Sequence, residues 1–435
     1  MHRREFLRRA GLSLGAVSAT AAATAAKSLP AHRARPFQPD DWTSVREQFA
    51  LSPNLIHMAT FYFASHPRPV ADAIERHRRA LDLNPVEAMH EQMGEGEERQ
   101  RRTAAEYMGG TADQIALTDS TTMGLGLIYG GLRLEAGDEV LTTTHDHYST
   151  HMSLEHRAER TGAAIRKVAL YDDSALASVD EIVTRLRNAI DDATRVIAVT
   201  WVHSSTGVKL PISAIAKMIA DINRARGEND RILLCVDGVH GFGVEDATME
   251  DLGCDFFIAG THKWIFGPRG TGVIWGATEA WKRAQPVIPS FGPNYGVWLG
   301  YFDADQVPAA NQMTPGGFHS FEHRWALEEA FRFHVRIGKA RVQTRIHQLN
   351  TLMKDGLAAM PHVRLRTPRT PELSSGIICF EVEGVGPEAV VERLRTRDII
   401  ASTTPYREQY ARLAPSLINN EDEVERTLAA VAELA

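Results

Sequence analysis

From residue 115 to residue 275 the chain alternates between two hydrophobic periods. Short apolar runs at 115–117, 139–143, 165–170, 196–199, 232–236, 256–259 and 272–275 have the length and make-up of buried strands. Between them lie segments of helical spacing. One, at 123–132, starts at the hydroxyls of Ser120, Thr121 and Thr122. A second covers 179–189, and Ile212, Ile215, Ile219 and Ile222 share one face of a third. Upstream, Val70, Ile74 and Leu81 mark a helix over 69–83, and the polar stretch 85–108 reads as a helix with a wide solvated face. Strands alternating with helices predict an α/β architecture, a mostly parallel sheet with both faces covered. Ligands of such sheets bind beyond the carboxyl ends of the strands.

After about Gly292 the pattern changes. Leu327, Phe331, Val335 and Val342 mark one long helix. A strand is expected at 376–382 and a helix at 387–395. Asn419 and Asn420 would cap a last helix carrying Val424, Leu428 and Val431. This predicts a smaller α+β domain over 292–435, after a large domain at 59–291 and an extended arm at 32–58.

At 435 residues the chain is too long for a single small core, and length alone suggests two or three domains. A formal net charge of −7 gives no basic excess to attract nucleic acid. Cys235, Cys254 and Cys379 have no metal-ligand spacing, and Cys235 and Cys379 fall in strand-like runs, as buried thiols do. The first residues stand apart. Arg3 and Arg4 precede Phe6-Leu7, then an uncharged, alanine-rich run from Ala10 to Ala26 with small residues at Ala23 and Ala25. This is the layout of a secretory signal over 1–31, and the arginine pair resembles the twin-arginine type. It predicts export to the periplasm with no retained membrane anchor.

Four expected strand ends carry groups able to do chemistry. Ser120, Thr121 and Thr122 open a helix, where free N–H groups favour a phosphate, although a plain hydroxyl cap has the same signature. His147, after the strand at 139–143, could stack on a planar ring or sit on the surface. Asp237 comes directly off a buried run, where a carboxylate needs a partner. Lys263 lies in the loop between the runs at 256–259 and 272–275. An amine for an aldehyde, a cradle for a phosphate and a carboxylate for a ring nitrogen together describe a site for pyridoxal phosphate (PLP).

The segments DGVHGFG at 237–243 and AGTHKWIFGPRGTG at 259–272 resemble the class V aminotransferase family of fold-type I PLP enzymes. That family includes cysteine desulfurases and isopenicillin N epimerase-like proteins. The resemblance runs from about Asn54 to the C-terminus and implies a seven-stranded, mostly parallel sheet in the large domain. It implies that Lys263 joins the cofactor's aldehyde, Asp237 pairs with its ring nitrogen, and His147 stacks on the ring. It places His240 near the phenolate oxygen, and Thr121, Thr122, Thr261 and His262 around the phosphate. Ser204 falls where many relatives carry Asn. Arg412 matches the family's carboxylate-binding arginine. A homodimer is implied, with the site at the subunit interface and residues 316–320 (GGFHS) as a contribution to the second subunit.

Desulfurases carry a nucleophilic cysteine in the region corresponding to 397–410, and none is present there. Aminotransfer, epimerisation, C–S or β-elimination and decarboxylation remain open. A signal joined to this family resembles exported PLP enzymes that tailor the siderophore pyoverdine. The expected substrate is therefore an amino-acid or amine group of a secreted or periplasmic small molecule. Two other classes compete. An inactive ligand-binding protein on the same fold would lack one of these groups. A nicotinamide oxidoreductase would need a glycine fingerprint after an early strand, and Gly124-Leu125-Gly126 is only a fragment inside a helical stretch.

Overall fold

The short apolar runs become strands because neighbouring elements cover both of their faces. The computed structural model describes residues 37–301 and 303–434; the signal expected over 1–31 and the start of the arm lie outside the described residues. In chain order the strands are β1 (Ile56–His57), β2 (Ile115–Thr118), β3 (Glu139–Thr143), β4 (Ala164–Val168), β5 (Thr194–Thr200), β6 (Leu233–Asp237), β7 (Phe256–Gly260) and β8 (Gly272–Gly276). They are followed by β9 (Val363–Leu365), β10 (Ile378–Val382), β11 (Ile399–Ile400), β12 (Ser402–Thr403) and β13 (Ala411–Leu413). Seven form the large sheet, in the order β2-β8-β7-β6-β5-β3-β4. Only β8 runs antiparallel to its neighbours.

Alternate residues of these strands feed two separate cores. Leu141, Ile197, Val199, Leu234, Val236 and Phe257 pack on one face. Val140, Val196, Ala198, Leu233, Cys235 and Phe256 pack on the other. The strand period of two thus explains why the sequence reads as unbroken apolar runs rather than as alternation. At the turn after β6 the layers approach closely: a Cβ at Gly238 would stand 1.9 Å from the Phe257 ring.

The small domain holds the antiparallel sheet β12-β13-β10-β9 and the helices Lys339–Ala358, Pro387–Arg395 and Glu421–Ala432. Asn420 caps the last of these with a reciprocal bond to Glu423. The arm is not a free extension. Its β1 pairs in parallel with β11, and Val45 and Phe49 share a core with Trp264, Phe333, Val342 and Tyr410.

Several expected elements are corrected. The long helix through Leu327 and Val342 is two helices, Leu327–Ile337 and Lys339–Ala358, broken at Gly338 with φ 93°. Val335 faces solvent rather than the core. Leu327, Ala330 and Phe331 belong to the large-sheet core, whereas Phe333 and Ile337 of the same helix pack with Val342 and Ile346 in the core shared with the arm. The polar helix over 85–108 is split into Pro85–Gln92 and Glu95–Met108, with Gly94 at φ 80° between them. The helix Tyr148–Thr161 was not expected; it buries only Ser149, Thr150 and Leu154 and carries little apolar signal.

Candidate active site

Five strands of the large sheet end on the same edge, and each passes a functional side chain to the loop beyond it. Ser120 follows β2, His147 follows β3, Ser204 follows β5, Asp237 closes β6 and Lys263 follows β7. They meet in a cavity of about 390 Å³. Of the ten site residues expected from the sequence, nine line it: Thr121, Thr122, His147, Ser204, Asp237, His240, His262, Lys263 and Arg412. Thr261 does not. It is fully buried, with its hydroxyl 2.6 Å from that of Thr271, and its carbonyl accepts the Gly267 N–H at 2.8 Å. Its place is inside the loop that presents Lys263, not at a phosphate.

That loop is held firmly. Trp264 and Phe266 plug into the core between the two domains. Phe266 takes a left-handed backbone, φ 56°, which a bulky residue adopts only under constraint. The Lys263 amine is 3.3 Å from His240 Nε2. Trp264 Nε1 donates toward His240 Nδ1 at 3.5 Å. Because an indole has only a donor, Nδ1 accepts and the neutral imidazole carries its proton on Nε2, facing the amine. Burial, and then the charge of Lys263, hold His240 well below the ordinary histidine value. Burial also lowers the Lys263 amine to about 8, with Arg412 adding to the effect and Asp237 opposing it. A lysine so lowered is partly neutral near pH 8, the form that attacks a carbonyl.

Asp237 is 2 % exposed, and one carboxyl oxygen accepts the Val239 N–H at 3.2 Å. Burial pushes it up to about 7; Asp146 adds to this, while Val239 N–H and Lys263 work against it. Asp146 itself is satisfied, accepting from Thr142 Oγ, Thr143 N and Thr200 N at 2.7–2.8 Å, and so it ties the ends of β3 and β5 together. His147 caps the helix Tyr148–Thr161, its Nδ1 accepting the Ser149 N–H at 3.2 Å. Burial, Lys263 and Arg412 lower it to about 4, so it presents a neutral ring to the cavity.

At the other end Ser120 caps the helix Thr121–Gly131, taking the Met123 N–H on its side chain and the Gly124 N–H on its carbonyl. This leaves the N–H groups of Thr121 and Thr122 as the first-turn donors not used by the cap. Thr121 Oγ accepts the Gly260 N–H at 2.8 Å, joining the helix to the end of β7. His262 Nδ1 and Thr200 Oγ are buried on the cavity wall without a hydrogen-bond partner. The segment at 316–320 lies next to this end: His319 Nδ1 is 3.3 Å from Asp119, the residue before the Ser120 cap.

Arg412 reaches the cavity from β13 of the small domain and is 4 % exposed. It donates to Ser204 O at 3.0 Å, Thr403 O at 2.7 Å and Ser402 Oγ at 3.2 Å, and its guanidinium lies 4.7 Å over the Phe61 ring. Among the described residues no carboxylate pairs with it. Sequence reasoning missed Phe61, Tyr62 and Phe63 on the cavity wall, although three aromatics in a row were a visible signal.

The residues present fit PLP. Unused helix N–H groups and an imidazole with its Nδ1 unpartnered suit a phosphate. A buried carboxylate with a single backbone donor suits a protonated ring nitrogen. A partly neutral amine suits an aldehyde. Residues 63–405 match the sequence model of the family described as Aminotransferase class-V. The chain belongs to the class V aminotransferase family. It is 25 % identical over 398 residues to an isopenicillin N epimerase of Streptomyces clavuligerus, covering 89 % of this chain and 96 % of that protein. It is also 25 % identical over 344 residues to a probable cysteine desulfurase of Halalkalibacterium halodurans, covering 77 % and 80 %. Among solved structures, the cystine C–S lyase C-DES in complex with cysteine persulfide shares the fold. Its TM-score is 0.77 at 22 % identity, over 88 % of this chain and 98 % of that one. The protein is thus a PLP-dependent enzyme of fold-type I, the α/β class expected from the strand pattern.

Proposed function

We propose that this class V enzyme is exported and acts on the amino group of an amino acid, free or within a secreted or periplasmic metabolite of the pyoverdine kind. The observation that carries the substrate class is Arg412, a buried cation without a protein carboxylate in the same cavity as Lys263. Leaving such a charge unpaired is costly, so the arrangement favours a substrate that brings its own carboxylate. The arginine pair at Arg3-Arg4 and the alanine-rich run after it support export.

PLP, when bound, supplies an aldehyde for the substrate amine and a ring that draws electrons from the α-carbon. The chain's residues do the rest. Arg412 binds and orients the carboxylate. Lys263 takes or returns the proton at the α-carbon once its amine is free. Asp237 keeps the ring nitrogen protonated, and His147 covers one ring face against water. Thr121, Thr122 and His262 hold the phosphate.

Persulfide-forming desulfurase chemistry is disfavoured, because no cysteine lines the cavity. All three cysteines are buried, and burial lifts the Cys379 thiol to about 12. Incubation of the holoenzyme with an amino-acid panel separates the remaining reactions. A 2-oxo acid with the cofactor left in its amine form marks aminotransfer, inverted configuration marks epimerisation, and released ammonia marks elimination.

Arg412→Met is expected to raise KM for a carboxylate-bearing substrate by about 10²-fold, measured in initial rates; an unchanged KM would remove the substrate assignment. Replacing both Arg3 and Arg4 by lysine should leave the protein in the cytoplasm, as read by fractionation. Continued appearance in the periplasm would reject the twin-arginine route.

A further inference from the structure

Arg412 is supported partly by a residue that the loop between β12 and β13 holds in place. Residues 404–410 are closed by their own bonds: Thr404 N–H donates to Tyr410 O at 2.9 Å, and Tyr410 N–H donates to Thr404 Oγ at 2.9 Å. The Thr404 hydroxyl donates to Glu408 O at 3.2 Å. So braced, the loop sends Tyr406 from the small domain back to the large one. There its hydroxyl lies 2.7 Å from Ser204 Oγ. Its ring meets His147 edge-on, with centroids 6.1 Å apart. The Ser204 carbonyl in turn accepts from Arg412.

Counting donors shows what the pair can do. Two hydroxyls own two protons, and the bond between them uses one. The other proton is free to donate, and Ser204 faces the cavity beside Arg412. Three of the guanidinium's five N–H groups are taken by Ser402, Ser204 and Thr403, which leaves two. A carboxylate has about four lone-pair sites and can accept all three remaining donors at once.

We infer that Tyr406, acting through Ser204, sets the substrate carboxylate against Arg412 and makes the enzyme prefer amino acids with a free carboxylate to amines that lack one. Tyr406 is a positioning residue, and the inference rests on the proposed role of Arg412 as the carboxylate anchor. Without its hydroxyl, Ser204 loses the bond that fixes its direction, and the third donor is no longer held in place.

The test uses the PLP-loaded enzyme with L-alanine and ethylamine as matched probes, each titrated by the change in cofactor absorption. Tyr406→Phe is expected to weaken L-alanine by about tenfold and to leave ethylamine within about twofold. Arg412→Met should remove the preference altogether. If Tyr406→Phe keeps the wild-type ratio while Arg412→Met loses it, the inference fails and the role of Arg412 stands. Equal weakening of both probes would mark Tyr406 as merely structural and also overturn it. If Arg412→Met keeps the ratio, or the wild-type enzyme gives no response to L-alanine, the carboxylate anchor itself is wrong and the inference falls with it.

Discussion

Lys263→Ala is expected to lower kcat/KM by about 10³-fold or more and to abolish borohydride fixation of the cofactor to the chain. In the proposed roles, two separate functions disappear with this one amine: the covalent link to PLP and the proton carrier at the α-carbon. Nothing nearby replaces it. The neighbouring His240, 3.3 Å from the amine, is held neutral by burial and has no amine with which to join an aldehyde. Lys263→Arg separates charge from nucleophilicity. It retains a cation near Asp237, but a guanidinium does not deprotonate and cannot join an aldehyde. Its activity should therefore fall as far as that of the alanine variant. A Lys263→Ala protein that still carried fixed cofactor, mapped by peptide mass, and still turned over would refute the assignment.

The strand ends were readable because chemistry and periodicity coincide there. Asp237 closes an unbroken apolar run, and a charged residue in that place needs a partner. Lys263 interrupts the small residues between two further runs. Local features of this kind survive in a one-dimensional reading. Thr261 shows where that reading stops. It sits two residues from Lys263 and has a phosphate-binding side chain, but the loop turns it inward to meet Thr271. The direction of a side chain in a loop depends on bonds that periodicity does not record.

Long-range pairing was hidden for the same reason. Tyr406 and Ser204 are separated by 202 positions, and nothing in the stretch around Tyr406 marks it as meeting Ser204. The helix Tyr148–Thr161 escaped notice because its packing relies on serine, threonine and a single leucine. Gly338 was visible in the sequence as a glycine within a helical pattern. Whether such a glycine is tolerated or breaks the helix depends on its φ, and here the positive value ends one helix and starts the next. The errors thus concern what each element touches more than whether it exists.

Asp237→Asn should act in opposite directions on the empty and the loaded protein. In the cofactor-free protein burial raises the Asp237 carboxyl to about 7, against roughly 3.9 when unfolded. Below pH ~4 both states hold the proton and the residue is neutral in stability. As pH rises from ~4 to ~7 the unfolded chain releases its proton first, so folding loses stability through that window and then levels off. Asparagine has nothing to release, and its carbonyl can still accept the Val239 N–H. The variant should therefore match the wild type near pH 4 and exceed it by about 2 kcal/mol at pH 8. Thermal unfolding of both cofactor-free proteins across this range measures the difference. With PLP bound the order reverses, because a protonated ring nitrogen gives the carboxylate its missing partner and asparagine cannot hold that proton. kcat is then expected to fall by about 10²-fold or more. A variant no more stable than wild type at pH 8 would show that Asp237 is not a raised buried acid. An unchanged kcat would show that it is not the partner of the ring.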